Sequence, residues 1–398
     1  MSEENQSISW HVPGRLEVLG THTDYAGGSS LLAAMNRGVT ATLTDADEGI
    51  WVTSSSASGT VRADGHTPLG KGHWGNYSRT VVRRLEDNFG SLRPAHINVD
   101  STLPLASGMS SSSALMVAIA LCLADHNNLW DHPAWKENIK DNIDLATYLS
   151  TVENGMTFGS LVGSAGVGTF GGSEDHTAMI ACEDGALSEF SFCPTTLVRS
   201  VPMPDDWVFV VAVSGVLAEK TGDALDAYNA ASADARALVE VWNEHAQDTH
   251  GYLAGVLNVP SNAAKLRELA EKHGLGDRLN AFLTESQVLI PAALAALERQ
   301  DLAAFGQAAN LSHANARDVL GNQLPATNFL QESALSCGAA GATSFGAGFG
   351  GSVWAVVTKP EAERFTQKWE EAYAEAFPEE ASRASFIIAR PGPPAHRL

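Results

Sequence analysis

The stretch STLPLASGMSSSSALMVAIALCL, Ser101 to Leu123, runs from a polar segment through a loop of proline, glycine and serine into an unbroken apolar run. Just upstream, His96 to Asp100 alternates apolar and polar residues, as a half-buried strand does. The apolar run, from about Ser111 to His126, is too long for a strand and predicts a buried helix. A helix that starts directly behind such a loop leaves its first backbone N–H groups unpaired, and the helix dipole adds positive potential there. That combination is a phosphate cradle, and serine hydroxyls can add contacts to phosphate oxygens or to magnesium. The loop carries neither a Gly-Lys-Ser/Thr ending nor the dinucleotide fingerprint. Taken alone, it is equally compatible with a serine-rich cap on an ordinary buried helix.

Composition narrows the field. The chain has 398 residues, 44% hydrophobic and 18% charged, which describes globular domains with sizeable cores and length enough for two of them. A net charge of −21, from 25 basic and 46 acidic side chains, argues against nucleic acid as a partner. A small polyanion remains compatible, because backbone amides and a metal ion can hold it locally. Ala114 to Ala124, the longest apolar run, is too short to span a bilayer, so no membrane partner is expected. The polar N-terminus does not read as a signal peptide. Cys122, Cys182, Cys193 and Cys337 are scattered, which predicts neither a disulfide framework nor a zinc site, and a cytoplasmic location is expected.

Along the chain the pattern is α+β. Leu16 to Leu19 predicts a strand, and the helix near Asp141 to Glu153 sets Leu145, Tyr148, Leu149 and Val152 on one face. Trp207 to Val213 and Ser352 to Thr358 predict buried strands. Helices are predicted around Asp223 to His245 and Ser261 to His273, and from Pro360, where Phe365, Trp369 and Tyr373 recur every fourth residue. Pro194, Pro202 and Pro204 are expected to interrupt regular structure between Cys182 and Asp206. The domains are accordingly placed at 1–195 and 196–398.

Two further stretches carry chemistry. GRLEVLGTHTDYAGG, Gly14 to Gly28, groups Arg15, His22, Asp24 and Tyr25 behind a strand. GATSFGAGFGGSVWAVV, from Gly341, sets Gly346, Gly348, Gly350 and Gly351 ahead of another, where backbone turns tightly or comes close to something. In this order the three stretches resemble the motifs of the GHMP kinases, which include galactokinase, homoserine kinase, mevalonate kinase and phosphomevalonate kinase. The first is similar to the galactokinase form Gly-Arg-x-Asn-x-Ile-Gly-Glu-His-Thr-Asp-Tyr-x-x-Gly, matching at Gly14-Arg15, Gly20, His22 to Tyr25 and Gly28. The second matches at Pro104, Gly108 and Ser110 to Ser112, and the third at Gly346 and from Gly348 to Gly351. HWGNY, His73 to Tyr77, resembles a Trp-x-Asn-Tyr element beside the adenine, and SHANARD, Ser312 to Asp318, a Ser-His-x-x-x-Arg-Asp element.

The resemblance implies a two-domain GHMP kinase fold: an N-terminal domain like ribosomal protein S5, a C-terminal ferredoxin-like α/β sandwich, and the active site in the cleft between them. It implies ATP and Mg2+ as cofactors, a small-molecule sugar as the partner, and a monomer. Ala106, Ser107, Gly108, Met109, Ser110, Ser111, Ser112 and Ser113, with Gly348, would bind the triphosphate, and Trp74 and Tyr77 the adenine. Ser112 and Glu153 would hold magnesium. Asp175 would be the catalytic carboxylate, kept ionised by Arg15. Thr21, His22, Asp24 and Tyr228 would meet the sugar.

Two departures stand out. Glu153 and Asp175 are separated by a glycine-rich insertion, 157–172, that could rebuild one wall of the site, and Glu174 next to Asp175 leaves open which carboxylate is catalytic. Thr21 stands where the family has glutamate, so galactose is the default acceptor and galacturonate, arabinose or a modified hexose are alternatives. A silent sugar and nucleotide sensor is the reading from outside the enzyme class.

Overall fold

The structure, a computed structural model, describes residues 7–67, 69–104, 108–169, 171–216, 223–246 and 249–398, with the side chains of 223–228 outside that description. Twelve strands are found among the described residues: β1 (Ile8–Leu19), β2 (Ser29–Asp45), β3 (Ile50–Ser54), β4 (Thr60–Arg62), β5 (Ala95–Ser101), β6 (Ala186–Ser191), β7 (Thr196–Pro202), β8 (Trp207–Val213), β9 (Gly341–Phe345), β10 (Ser352–Thr358), β11 (Ser385–Ala389) and β12 (His396–Arg397). They form two sheets. The larger runs β12-β1-β2-β5-β3-β4, with β6 on β2 and β7 on β6; the smaller is antiparallel in the order β11-β8-β10-β9.

In the larger sheet, β1 follows the period of two. Leu16 and Val18 point into the core beneath the helix Ser111–His126, so Arg15 and Glu17 face the other way. That alternation is what lets a buried strand present charged side chains to a site. The Ser111–His126 helix is buried on nearly every side, as its unbroken apolar run predicts.

In the smaller sheet both faces are covered. Val353, Ala355 and Val357 of β10 pack towards Phe365, Trp369 and Tyr373 of the helix Ala362–Ala376. Trp354 and Val356 join the core shared with the first sheet, where the Trp354 indole N–H donates to the Val18 carbonyl oxygen at 3.2 Å. The two halves are therefore continuous behind β1. The run 276–298 is the one helix among the described residues long and apolar enough to cross a membrane, yet its Leu279, Phe282, Ile290 and Leu294 are buried inside the protein.

The stretch 182–206 is corrected. Its prolines interrupt regular structure only at element ends, and β6 and β7 form a hairpin there. Pro194 falls in the turn and Pro202 ends β7, an edge strand that needs no ladder N–H on its outer side. A division at 195 would cut this hairpin. The hairpin runs to Pro202, and the C-terminal tail joins the larger sheet because β12 pairs with β1.

Candidate active site

Arg15 is the hub. Its guanidinium is 6% exposed; Nε donates to Asp175 Oδ1 at 2.7 Å, and a terminal nitrogen donates to the Gly108 carbonyl oxygen at 3.2 Å. Gly346 of the third motif lies against the same point: a Cβ there would sit 3.5 Å from the Gly108 oxygen and 3.7 Å from Arg15. All three sequence motifs thus meet at one guanidinium.

Asp175 lies in the first turn of the helix Glu174–Ala181, where the dipole favours an anion. Burial alone would raise its pKa, but Arg15 beside it and a hydrogen bond donated by the Ser110 hydroxyl hold it below the usual range. Glu174 behaves in the opposite way. It is 5% exposed, Ser30 donates to it at 2.7 Å, and burial together with Glu17 drives its pKa well up despite Arg15 at 3.7 Å. Of the two, Asp175 is the ionised carboxylate, and 30% of its side chain is exposed.

The serine loop ends at Ser110, whose left-handed backbone sits at the N-cap of the helix. Ser113 is fully buried and donates to Glu153 Oε2 at 2.8 Å. The helix Asn142–Asn154 stops at Gly155, leaving Glu153 in its last turn with its carboxylate aimed at the serines. Ser112 is hydrogen-bonded to Tyr77, whose pKa is raised by burial and by nearby Glu153. Trp74, half-buried, covers the Ser58 carbonyl at the start of the helix Gly75–Phe89. Carboxylate and hydroxyl oxygens suit a hard divalent cation that completes its shell from phosphate oxygens, so Glu153 and Ser112 fit magnesium.

The insertion reaches this corner. Val167 N–H donates to the Glu153 carbonyl at 2.9 Å, and the Thr169 hydroxyl donates to Glu153 Oε1 at 3.4 Å. Arg84 and Asn88 of the Gly75–Phe89 helix hold the Met156 and Val162 carbonyls at 2.7 and 3.0 Å. The insertion is therefore a backing layer behind Glu153.

At the other end, the Thr21 hydroxyl donates to Glu17 Oε1 at 2.5 Å. Glu17 stands at the asparagine position of the motif form, so the carboxylate missing at 21 has a counterpart four residues back on β1. His22 uses both ring nitrogens. The Ala347 carbonyl can only accept, so Nε2 carries the proton at 3.0 Å and Nδ1 accepts from the Tyr25 hydroxyl at 2.7 Å. Burial pushes His22 down to about 4, keeping it neutral. Asp24 is pushed up to about 6 by burial, with Asp175 and Glu17 nearby. Its Oδ2 lies where a Cβ on Gly172 would be, at 2.2 Å, so any side chain at 172 would displace this carboxylate.

The sugar-side motif is braced from the far half of the chain. Arg278 donates to the His22 carbonyl at 2.7 Å and lies over the Tyr25 ring at 5.8 Å. Glu285, 2% exposed, accepts from Gly20 N–H at 3.0 Å and from the Ser312 hydroxyl at 2.7 Å, in a segment where the helix loosens to π geometry. His313, the next residue of the Ser312 to Asp318 element, accepts from Ser344 N–H at 3.2 Å and steadies the third motif. Neither Arg278 nor Glu285 was found by sequence reasoning, and neither lies in a local pattern that marks it. Ala106, Ser107 and the Tyr228 side chain lie outside the described residues.

Comparison with known proteins agrees with this geometry. Residues 76–163 match the GHMP kinases N terminal domain, 293–375 match GHMP kinases C terminal, and 2–44 match the galactokinase galactose-binding signature. The galactokinase of Roseiflexus sp. (strain RS-1) is 29% identical over 387 residues, covering 94% of this chain and 90% of that protein. That of Haemophilus influenzae (strain PittGG) is 28% identical over 366 residues, covering 88% and 85%. In fold, Lactococcus lactis galactokinase complexed with galactose aligns with a TM-score of 0.82 at 22% identity, over 100% of this chain and 97% of that one. L. major mevalonate kinase in complex with R-mevalonate aligns at 0.61 and 14%, over 99% and 100%. The chain belongs to the GHMP kinases. Its relatives over nearly the whole length and the signature at 2–44 make it a galactokinase-like sugar kinase within them.

Proposed function

We propose that the protein transfers the terminal phosphoryl group of ATP to the anomeric hydroxyl of a monosaccharide, with D-galactose as the default acceptor, giving the sugar 1-phosphate and ADP. The observation that carries this is the Arg15–Asp175 pair, held at 2.7 Å beside the Gly108 loop. Asp175 accepts the hydroxyl proton as the sugar oxygen bonds to phosphorus and the bond to the ADP oxygen breaks. Arg15 keeps that carboxylate ionised and offsets charge on the transferring group. The backbone from Gly108 to Ser113 orients the phosphates, and Trp74 and Tyr77 face the base. Glu153 and Ser112 would hold Mg2+, which would supply charge neutralisation for the phosphates. His22 and Asp24 line the sugar end. The protein acts as a monomer in the cytoplasm.

A second reading concerns the acceptor. With its hydroxyl donated to Glu17, Thr21 offers the sugar no carboxylate and no free donor. That favours an acceptor lacking the hydroxyl a glutamate would read, such as arabinose or a modified hexose. The test is a panel of free sugars and uronic acids, with ADP release measured for each, run on the parent and on Thr21→Glu. Galactose leading the panel supports the first reading. A different leader, with galactose gaining several-fold in Thr21→Glu, supports the second. ADP release with none of them would defeat both.

A further inference from the structure

We propose that His176 is a positioning residue for Glu153, steering the carboxylate that holds the divalent cation; this rests on the reading of Glu153 given above. His176 follows Asp175 directly in the helix Glu174–Ala181. Its imidazole is 2% exposed, and neither ring nitrogen has a hydrogen-bond partner in the structure. A buried imidazole left with both nitrogens unsatisfied is costly, so it calls for a structural or functional explanation. The nearest ionic group supplies one: Nε2 lies 3.5 Å from Glu153 Oε2, too far for a good hydrogen bond but within reach of a small carboxylate rotation.

In the structure as it stands, that oxygen is taken by Ser113 at 2.8 Å, and the other faces Thr169 at 3.4 Å. A carboxylate drawn towards a cation needs outer hydrogen bonds to fix its new orientation. Nε2–H of His176 is placed to donate one as Glu153 turns. Because Asp175 and His176 are consecutive, one short helix then sets both the proton acceptor and the cation carboxylate. Cation loading and base alignment become a single mechanical event.

The experiment uses the full-length enzyme and the variants His176→Leu, His176→Gln and Glu153→Gln. Two quantities are read: the Mg2+ concentration giving half-maximal turnover, and the calorimetric affinity for ADP with Mg2+ and with EDTA. His176→Leu is expected to raise the Mg2+ requirement about tenfold or more and to lose most of the gain in ADP affinity that Mg2+ confers, as loss of an outer-shell partner typically does. ADP affinity in EDTA and the sugar KM stay close to the parent. His176→Gln, which keeps an N–H donor, is expected to restore Mg2+ dependence. If leucine prevents folding, His176→Met takes its place. A folded donor-free variant with parental Mg2+ dependence overturns the proposal, provided Glu153→Gln shifts it. Unchanged Mg2+ dependence in Glu153→Gln overturns the Glu153 reading and the proposal together.

Discussion

The phosphoryl end and the sugar end of the cleft are built on different plans. At the phosphoryl end, Arg15, Ser110, Ser113, Glu153 and Asp175 are joined by direct side-chain hydrogen bonds or ion pairs, all from the first half of the chain. At the sugar end, Gly20, His22 and Tyr25 are held by Arg278 and Glu285, more than 250 positions away in sequence. The first arrangement fixes charge, which phosphoryl transfer needs at one point in space. The second fixes the backbone turn at Gly20 to Tyr25. On the proposed function, catalytic power and acceptor choice are expected to be separable by mutation.

The sharpest break is Asp175→Asn. Turnover is expected to fall by roughly 10²–10⁴-fold while nucleotide affinity changes little, measured by initial rates and calorimetry. Near-normal turnover would remove Asp175 from the reaction. Arg278→Met attacks the other end. Loss of a charged hydrogen bond to the His22 carbonyl is expected to raise the sugar KM about tenfold, with saturated turnover much less affected. A collapse of kcat at unchanged KM would mean that the two ends are not separable.

The smallest effect concerns stability. Asp24 has its folded-state pKa raised to about 6, above the ordinary carboxylate value. The folded form thus keeps a proton that the unfolded chain gives up. This contribution to stability is complete below about pH 4 and is lost as pH rises through about 6. Asp24→Asn should flatten that decline, by up to about 3 kcal/mol, leaving the variant with the higher melting temperature at pH 7. Parallel melting profiles from pH 4.5 to 7 would contradict it. The same substitution weakens sugar binding if Asp24 meets the acceptor, so this carboxylate would trade stability for recognition.

The phosphoryl end was largely legible in the sequence, since its chemistry sits in contiguous motifs whose residue types advertise it. The serine loop before an apolar helix could be read directly, whereas the partnership of Arg15 with Asp175, which the structure forms, came from the resemblance to the GHMP kinases. The helix Ser111–His126 and strands β8 and β10 fall where periodicity put them. The sugar end was less legible. Arg278 and Glu285 act on backbone groups far off in the chain, and nothing local marks such a partnership. The insertion was visible as glycines, but its place behind Glu153 follows from tertiary contacts alone. The β6–β7 hairpin was hidden because prolines were read as breaks, when one sits in a turn and the other ends an edge strand.

The pairing of β12 with β1 has a consequence for how the enzyme is made. The strand carrying Arg15 leaves the ribosome well before its outer edge partner, His396–Arg397, which follows it by the length of nearly the whole fold. Until then β1 is an open edge, with backbone groups free to pair with any other strand. Arg278 and Glu285 also arrive late, so the motif turn they brace waits with it. A nascent chain thus carries the outer edge of β1 unprotected until β12 is made, the condition in which chaperones are most useful.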